Sequence, residues 1–404
     1  MREFLILFHG DLFTIERLEG VRATRRIEDG EKERFQFLVP VPGLFHFLMA
    51  CADAVWRVWI SPTESRTDDN SLYTHVGITR PGETGKITSK PGYRRTLEVI
   101  QLDIQASMLN CWSIVAKEAN PAWINLEEFG KAEPAWEEIV RLSEIIVQRL
   151  AARTEALSDS RRKKPEERDQ VFENQCIRNR DELLFLETYH AMNAGDIGRV
   201  EATFLSWIYI FRATGKHKYS SHLLKIAHDL RHVYPQEVAR IIRMNWLVNP
   251  TGRPHAFRGV DWLVERNNLY TKVIYGGHGS NRTLARILEE SILIEIFRES
   301  HLAVELGFHL KHRTVHHSPP DMDRTLKKLL NHFTTSKPHE FEAGRSADYK
   351  APDTLAIGMG LMEEIVLKAV ASGQSMDVDS SGGDSLMDVD EPETSTVLEP
   401  ADLL

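Results

Sequence analysis

Cysteine is scarce in this chain: Cys51, Cys111 and Cys176 are the only three in 404 residues, far apart and without a CxxC spacing. That excludes a disulfide framework and a cysteine-based zinc site, and it fits a reducing compartment. Long hydrophobic runs are missing too. The run FLILF near the N-terminus holds five apolar residues before His9 and Asp11 interrupt it. It is too short for the apolar stretch of a secretory signal, and no later segment approaches the about 18 apolar residues of a membrane span. The expectation is an intracellular protein with no membrane role, with nucleus and cytoplasm both open. Excess charge is absent from the body. The formal net charge is −9, but residues 373–404 carry nine acids and no Lys or Arg, leaving 50 acids against 50 bases elsewhere. A neutral body excludes attraction of the whole surface to nucleic acid and leaves only local basic patches for such work. Gly-x-Ser-x-Gly, His-Glu-x-x-His and kinase signatures are also absent, which removes the commonest hydrolase, metalloprotease and phosphotransferase readings.

What is present reads as mostly α. EFLILF, residues 3–8, is a short continuous apolar run ended by His-Gly-Asp, the pattern of a buried strand that puts Asp11 at its tip. Helical periodicity follows over residues 12–27, with Ile15, Leu18 and Val21 on one side and Arg22, Arg25 and Arg26 at the end that favours cations. FQFLVPV at 35–41 is a second strand stopped by prolines, and GLFHFLMACADAVWRVWI at 43–60 is a helix apolar nearly all round. Residues 61–93 read as a long connection with at most a short strand at LYTHVGIT. Helices then dominate, over 94–117, 134–156, 165–192, 195–214 and 217–248. Gly195-Asp196 opens one of them with Asp196 as its cap, and Phe204, Trp207, Ile208 and Phe211 form a stripe whose ordinary place is the core. Two shorter helices, near 321–333 and 353–371, close the body. The expected divisions are a partial α/β core over 1–60, a connecting loop at 61–93, a helical insertion at 94–250 and a helical return at 251–335. A C-terminal helical region at 336–372 and a disordered acidic tail at 373–404 complete the chain; the tail buries too little apolar surface to offset its conformational entropy. Such a tail can hold protein partners, though a passive solubilising end is the plainer reading.

The segment NWLVNPTGRPHAFRGVDWLVERNNLYTKVIYGG, residues 245–277, carries the chemistry of most interest. Asp261 and Glu265 stand four apart and share a helix face, held down by Trp262, Leu269 and Val273. Acids at that spacing are ordinarily solvated, and the alternative is ligation of a divalent cation. His309, His312 and His316, in FHLKHRTVHHSPP, share a helix face as metal ligands would, but without cysteine support and with Pro319 and Pro320 close behind they read first as an exposed patch. The run Arg161-Arg162-Lys163-Lys164 suits phosphate contact or nuclear import and equally a solvated loop. Gly276-Gly277-His278-Gly279 lacks the Lys-Ser/Thr of a phosphate loop and reads as a flexible connection.

Taken together, FHGDLFTIERLEG, FLVPVPGLFHFLMACADAVWRVW, AGDIGRVEATFLSWIYIFRATGKHKYSSHLL and NWLVNPTGRPHAFRGVDWLVERNNLYTK resemble the domain-of-unknown-function family 6589 of mushroom-forming fungi, over roughly residues 5–335. Its members resemble transposon-derived proteins. That resemblance implies a remnant of a ribonuclease H-like α/β core interrupted by a large helical insertion. Asp11 and Glu265 would be the second and third acids of a site for Mg²⁺, with Asp261 as a further candidate, in which two ions clamp the attacking and leaving oxygens. Arg266 and Asn267 stand where the family pattern implies Glu-His. The first acid belongs on a strand upstream of Asp11, where the chain has few residues, so the expectation is a catalytically incomplete protein. DNA would be its partner, through Arg22, Arg25, Arg26 and residues 161–164. The alternative is a helical protein-interaction module with no nucleic-acid role. Convergence of Asp11 and Glu265 discriminates the two.

Overall fold

The computed structural model describes residues 4–89, 91–274, 283–309 and 322–372. Its opening unit is strand, helix, strand. β1 (Ile6–Gly10) and β2 (Leu38–Pro42) pair in parallel, Ile6 beside Leu38 through Gly10 beside Pro42, and α1 (Leu12–Thr24) joins them. Both strands lie a little further along the chain than their apolar runs suggest, at 6–10 and 38–42. The prolines explain how β2 tolerates this shift. The Ile6 N–H bonds the Phe37 carbonyl and the Gly43 N–H bonds the Gly10 carbonyl, so the odd-numbered residues of β2 make the ladder and Pro40 and Pro42 need no N–H. Asp11 caps α1 by accepting from the Thr14 N–H at 2.8 Å.

α2 (Leu44–Trp59) follows and is enclosed as its composition requires. Phe47 meets the rings of Phe204 and Phe211 edge-on, at 5.4 and 6.0 Å. Residues 61–93 contain two helices, α3 (Leu72–Thr79) and α4 (Thr84–Ser89), which corrects the expected strand at LYTHVGIT. The β-branched residues there mimic a strand. However, the Ser71 hydroxyl caps the Thr74 N–H at 3.0 Å, and burial of Leu72, His75 and Val76 has the i, i+3, i+4 spacing of a helix.

The middle is helical as expected: α5 (Tyr93–Ala119), α6 (Leu126–Lys131), α7 (Trp136–Leu150), α8 (Thr154–Arg161), α9 (Gln170–Ala194), α10 (Ile197–Ala213), α11 (His217–His228) and α12 (Gln236–Met244). The helix expected over 217–248 is broken by a π turn at Asp229–Val233 and by Pro235, and 134–156 is divided between α7 and α8. Asp196 caps α10 through the Arg199 N–H, and Phe204, Trp207, Ile208 and Phe211 are all buried. A second pair, β3 (Leu247–Val248) antiparallel to β4 (Arg258–Gly259), leads into α13 (Asp261–Ile274). α14 (Leu284–Glu290), α15 (Leu293–Gly307), α16 (Asp323–Ser336) and α17 (Thr354–Ser372) complete the described elements.

The main core gathers Val39 and Val41 of β2, most of α2, and inward residues of α9, α10 and α11. Residues 337–353 are strapped across α9, where Arg345 grips the fully buried Asp169 with bonds of 2.6 and 2.9 Å and Tyr349 donates to the Val58 carbonyl. α17 crosses α10 so closely that a Cβ on Gly358 would lie 2.0 Å from the Tyr209 carbonyl oxygen.

Candidate functional site

The first residue of α13 reaches back across the molecule to the start of α2. Helix α2 begins at Gly43, which has no side chain to satisfy the free N–H groups of the first turn. Asp261 supplies the missing acceptor from 215 residues away. Its Oδ1 accepts the Phe45 N–H at 3.0 Å, and its Oδ2 accepts the His46 N–H at 3.0 Å and meets His46 Nδ1 at 2.8 Å. The carboxylate sits where the helix dipole favours negative charge. Glycines on both sides permit the approach. A Cβ on Gly43 would fall 2.1 Å from Asp261 Oδ2, and one on Gly259 would fall 2.5 Å from the Phe45 nitrogen. Trp246 aligns the incoming chain, its Nε1 donating to the Pro42 carbonyl while its own carbonyl accepts the Val260 N–H. Asp261 is 1 % exposed, so the solvated state expected of it does not occur; capping a buried helix end outweighs hydration.

Around His46 the other acids assemble. Glu265, one turn along α13 and half-buried, places Oε1 3.7 Å from His46 Nε2. Asp11, at the tip of β1, adds its field at the same imidazole while its Oδ1 caps α1. Burial opposes charge on His46. The hydrogen bond and charge of Asp261, then Glu265 and Asp11, outweigh it and raise the pKa above 6.5. His9, the penultimate residue of β1, behaves oppositely. Its Nδ1 is buried without a partner among the described residues, and desolvation lowers its pKa despite attraction from Asp261. A small cleft lined by Leu12, Pro42, Gly43, His46, Tyr219 and His222 opens beside this group.

The sequence reading named the three acids but missed both histidines that lie between them. For His46 a signal existed: it is a polar residue in the first turn of a helix otherwise apolar nearly all round. As chemistry, the Asp261–His46 pair fixes one imidazole nitrogen and presents the other toward Glu265, which is a proton-holding arrangement. Asp261 has both oxygens occupied by hydrogen-bond donors, and Asp11 has Oδ1 occupied by the Thr14 N–H. Among the described residues no three His, Cys, Asp or Glu side chains are grouped to hold a metal ion.

The remaining candidates lie elsewhere. His309 is exposed beyond the end of α15 in a left-handed conformation (φ 49°), while His312 and His316 fall outside the described residues. Leu269 and Val273 lie on α13, and 276–279 fall outside the described residues. Arg161 turns inward to the Ala351 carbonyl, while Arg162, Lys163 and Lys164 are exposed. Arg25 bonds the Glu33 carbonyl and lies over the Phe35 ring, Arg22 is half-buried and Arg26 is exposed.

A second polar group, which the sequence reading did not anticipate, is buried between α3, α5, α9 and the strap. Asp103 accepts from His75 and faces Arg178 Nε at 3.2 Å; Arg178 also donates to the Asn70 carbonyl and to Gln175. His339 on the strap bonds Ser107 and Asn110, at 2.9 and 2.7 Å. Burial works against the Asp103 carboxylate, but Arg178 and His75 hold its pKa down at about 2. Burial, followed by the Asp103 charge, pushes Glu182 well above the usual carboxylate range. Cys51, Cys111 and Cys176 are free and buried thiols, raised by desolvation, Cys111 to about 12.

The class these features define is a mainly helical protein in which a short parallel β unit is locked to a distant helix through one buried carboxylate. The chain belongs to DUF6589, a family of unknown function, whose model matches residues 1–317. No curated protein and no solved structure matches it. Among the described residues no helix is long and apolar enough to cross a membrane.

Proposed function

We propose that this chain is a transposon-derived protein of ribonuclease H-like ancestry whose acidic centre has become a structural clasp, leaving it catalytically incomplete. The observation that carries the reading is the meeting of Asp261 and Glu265 with His46, on which the charge of Asp11, at a strand tip some 250 residues earlier, also acts. That placement suits carboxylates that clamp metal-bound phosphoryl oxygens. Incompleteness is supported by Asp261, whose lone pairs are directed at the α2 N-terminus and at His46. Mg²⁺ is the ion an intact site of this kind would take through hard carboxylate oxygens, with Asp11 and Glu265 as its candidate ligands, but among the described residues they are not grouped with a third ligand to hold one. Bound there, it would neutralise developing phosphate charge. The chain's own residues hold Asp261 away from that role, and Asp261, Glu265 and Asp11 favour the protonated form of His46 against its burial.

Two measurements test this. Supercoiled plasmid incubated with Mg²⁺ or Mn²⁺ should be nicked no faster by the protein than by an Asp11→Asn/Glu265→Gln variant. Mn²⁺ titration followed by electron paramagnetic resonance should show one weak site that the double variant loses. Metal-dependent nicking abolished in the double variant would make the chain a working nuclease, and absence of any Mn²⁺ site would remove the acid centre altogether. Of the candidates for DNA contact, Arg26, Arg162, Lys163 and Lys164 are exposed, and binding to duplex DNA should weaken linearly with the logarithm of salt concentration.

A second reading, a helical interaction module without a nucleic-acid role, is favoured by the exposed apolar residues along α14 and α15. Leu284, Leu288, Ile292, Leu306 and Phe308 are exposed there, a concentration of apolar surface that marks contact sites more often than open solvent. Undetectable DNA binding at low salt would favour it.

A further inference from the structure

Helix α7 has two apolar faces. Leu142, Ile146 and Leu150 turn inward, into a satellite core with Cys111 and Val115 of α5. The other face carries Trp136, Val140, Ser143 and Val147, spaced by four, three and four residues, which is the rhythm by which one helix meets another along a seam. Trp136 and Val147 are 71 % and 53 % exposed, and Val140 is exposed between them. The Ser143 hydroxyl donates to the Val140 carbonyl at 2.7 Å, so a partner can dry the seam without orphaning it. An exposed tryptophan at the head of an apolar seam about 17 Å long is the anatomy of a contact site.

Charge decides what the seam fits. Glu137 and Glu144 border it on one side, at the positions that select the partner of a paired helix. Both are exposed, and the ion pairs around them use other acids, Glu138 with Arg141 and Glu118 with Arg149. Residues 118–150 hold seven acids against three bases, although the body as a whole is balanced. We infer that this face of α7 docks a basic amphipathic helix of another protein, its apolar residues on the seam and its Lys or Arg side chains against Glu137 and Glu144. A second copy of the chain is the wrong occupant. Antiparallel pairing of two α7 helices would set Glu137 against Glu144, and parallel pairing would give both glutamates only half-buried Ile139 and buried Ile146 to face. The same acids repel nucleic acid and anionic lipid. No residue of the acid centre contributes to this face, so the docking stands apart from the ancestry of that centre.

Two labelled synthetic helices of about three heptads test this, both with Leu along the seam positions, one with Lys and the other with Glu at the flanking positions. Fluorescence anisotropy with the full chain at low salt should give the Lys helix a Kd on the order of 10–100 µM and the Glu helix at least about tenfold weaker binding. Glu137→Lys/Glu144→Lys should reverse that preference, and Trp136→Ser should weaken the Lys helix about tenfold. All three side chains are exposed, so circular dichroism of the variants should match that of the parent chain. No binding of the Lys helix up to about 1 mM overturns the inference, as do equal affinities for the two helices or an affinity that the substitutions leave unmoved. Self-association of the chain that Trp136→Ser abolishes would also overturn it, by making a second copy the occupant.

Discussion

At the scale of single residues the molecule depends on charges placed where the backbone needs them. Asp261→Ala should cost about 3 kcal/mol of stability, because it strips the acceptors from a buried helix start and leaves His46 without its partner. Chemical denaturation would measure the loss. In the same variant, proton NMR should show the His46 pKa falling from above 6.5 to below it, since burial then acts with only Glu265 and Asp11 to oppose it. If the His46 pKa stays put, Asp261 is not what sets it. Glu182 presents the reverse case. Its folded pKa is raised, so it holds its proton to higher pH in the fold than in the unfolded chain; its contribution to stability is present at low pH and lost as pH rises. Glu182→Gln should therefore raise Tm at pH 8 by about 1–3 °C and have no such effect near pH 4. A Tm gain equal at both pH values would mean that packing, not ionisation, was responsible.

Elements are where local pattern and tertiary demand met or parted. Asp196 and the α10 stripe were readable because cap and periodicity agree over a long helix. α3 was not, because eight residues rich in Thr, Val and Ile satisfy strand composition, while the evidence for a helix is a single serine cap and three buried positions. Both prolines of β2 announced the end of a strand, yet only the register shows that they also close one edge of the sheet. The crossing of α17 over α10 has no sequence signature beyond a glycine in a helix. Gly358→Leu should disrupt that crossing, cost about 2–3 kcal/mol and be visible as faster proteolysis after residue 353, because the obstructing atoms are the backbone of Tyr209 and cannot swing aside. Unchanged proteolysis would mean that α17 contributes little to holding the body together.

For the whole molecule, pH is the global variable. His75, His339 and His9 have folded pKa values below 6.5, His339 at about 3, so each contributes stability that is present above 6.5 and lost as pH falls. His46, with a raised value, contributes in the opposite sense, fully below 6.5 and declining as pH rises. The three depressed histidines pull Tm down between pH 7 and pH 5, against His46 and Glu182, which gain there. His339→Asn should lessen that pull, and an unaltered dependence of Tm on pH would acquit the strap histidine. Composition, the neutral body with its acidic end, the free thiols and the run of helices were determined by the sequence alone, because they follow from counts and from periodicities local to each segment. Which acid is buried was decided only by the tertiary structure. Asp261 and Glu265 carry the same charge on the same helix, and nothing within their own segment says that a helix start lacking its own cap lies 215 residues earlier, flanked by the two glycines that let one of them in.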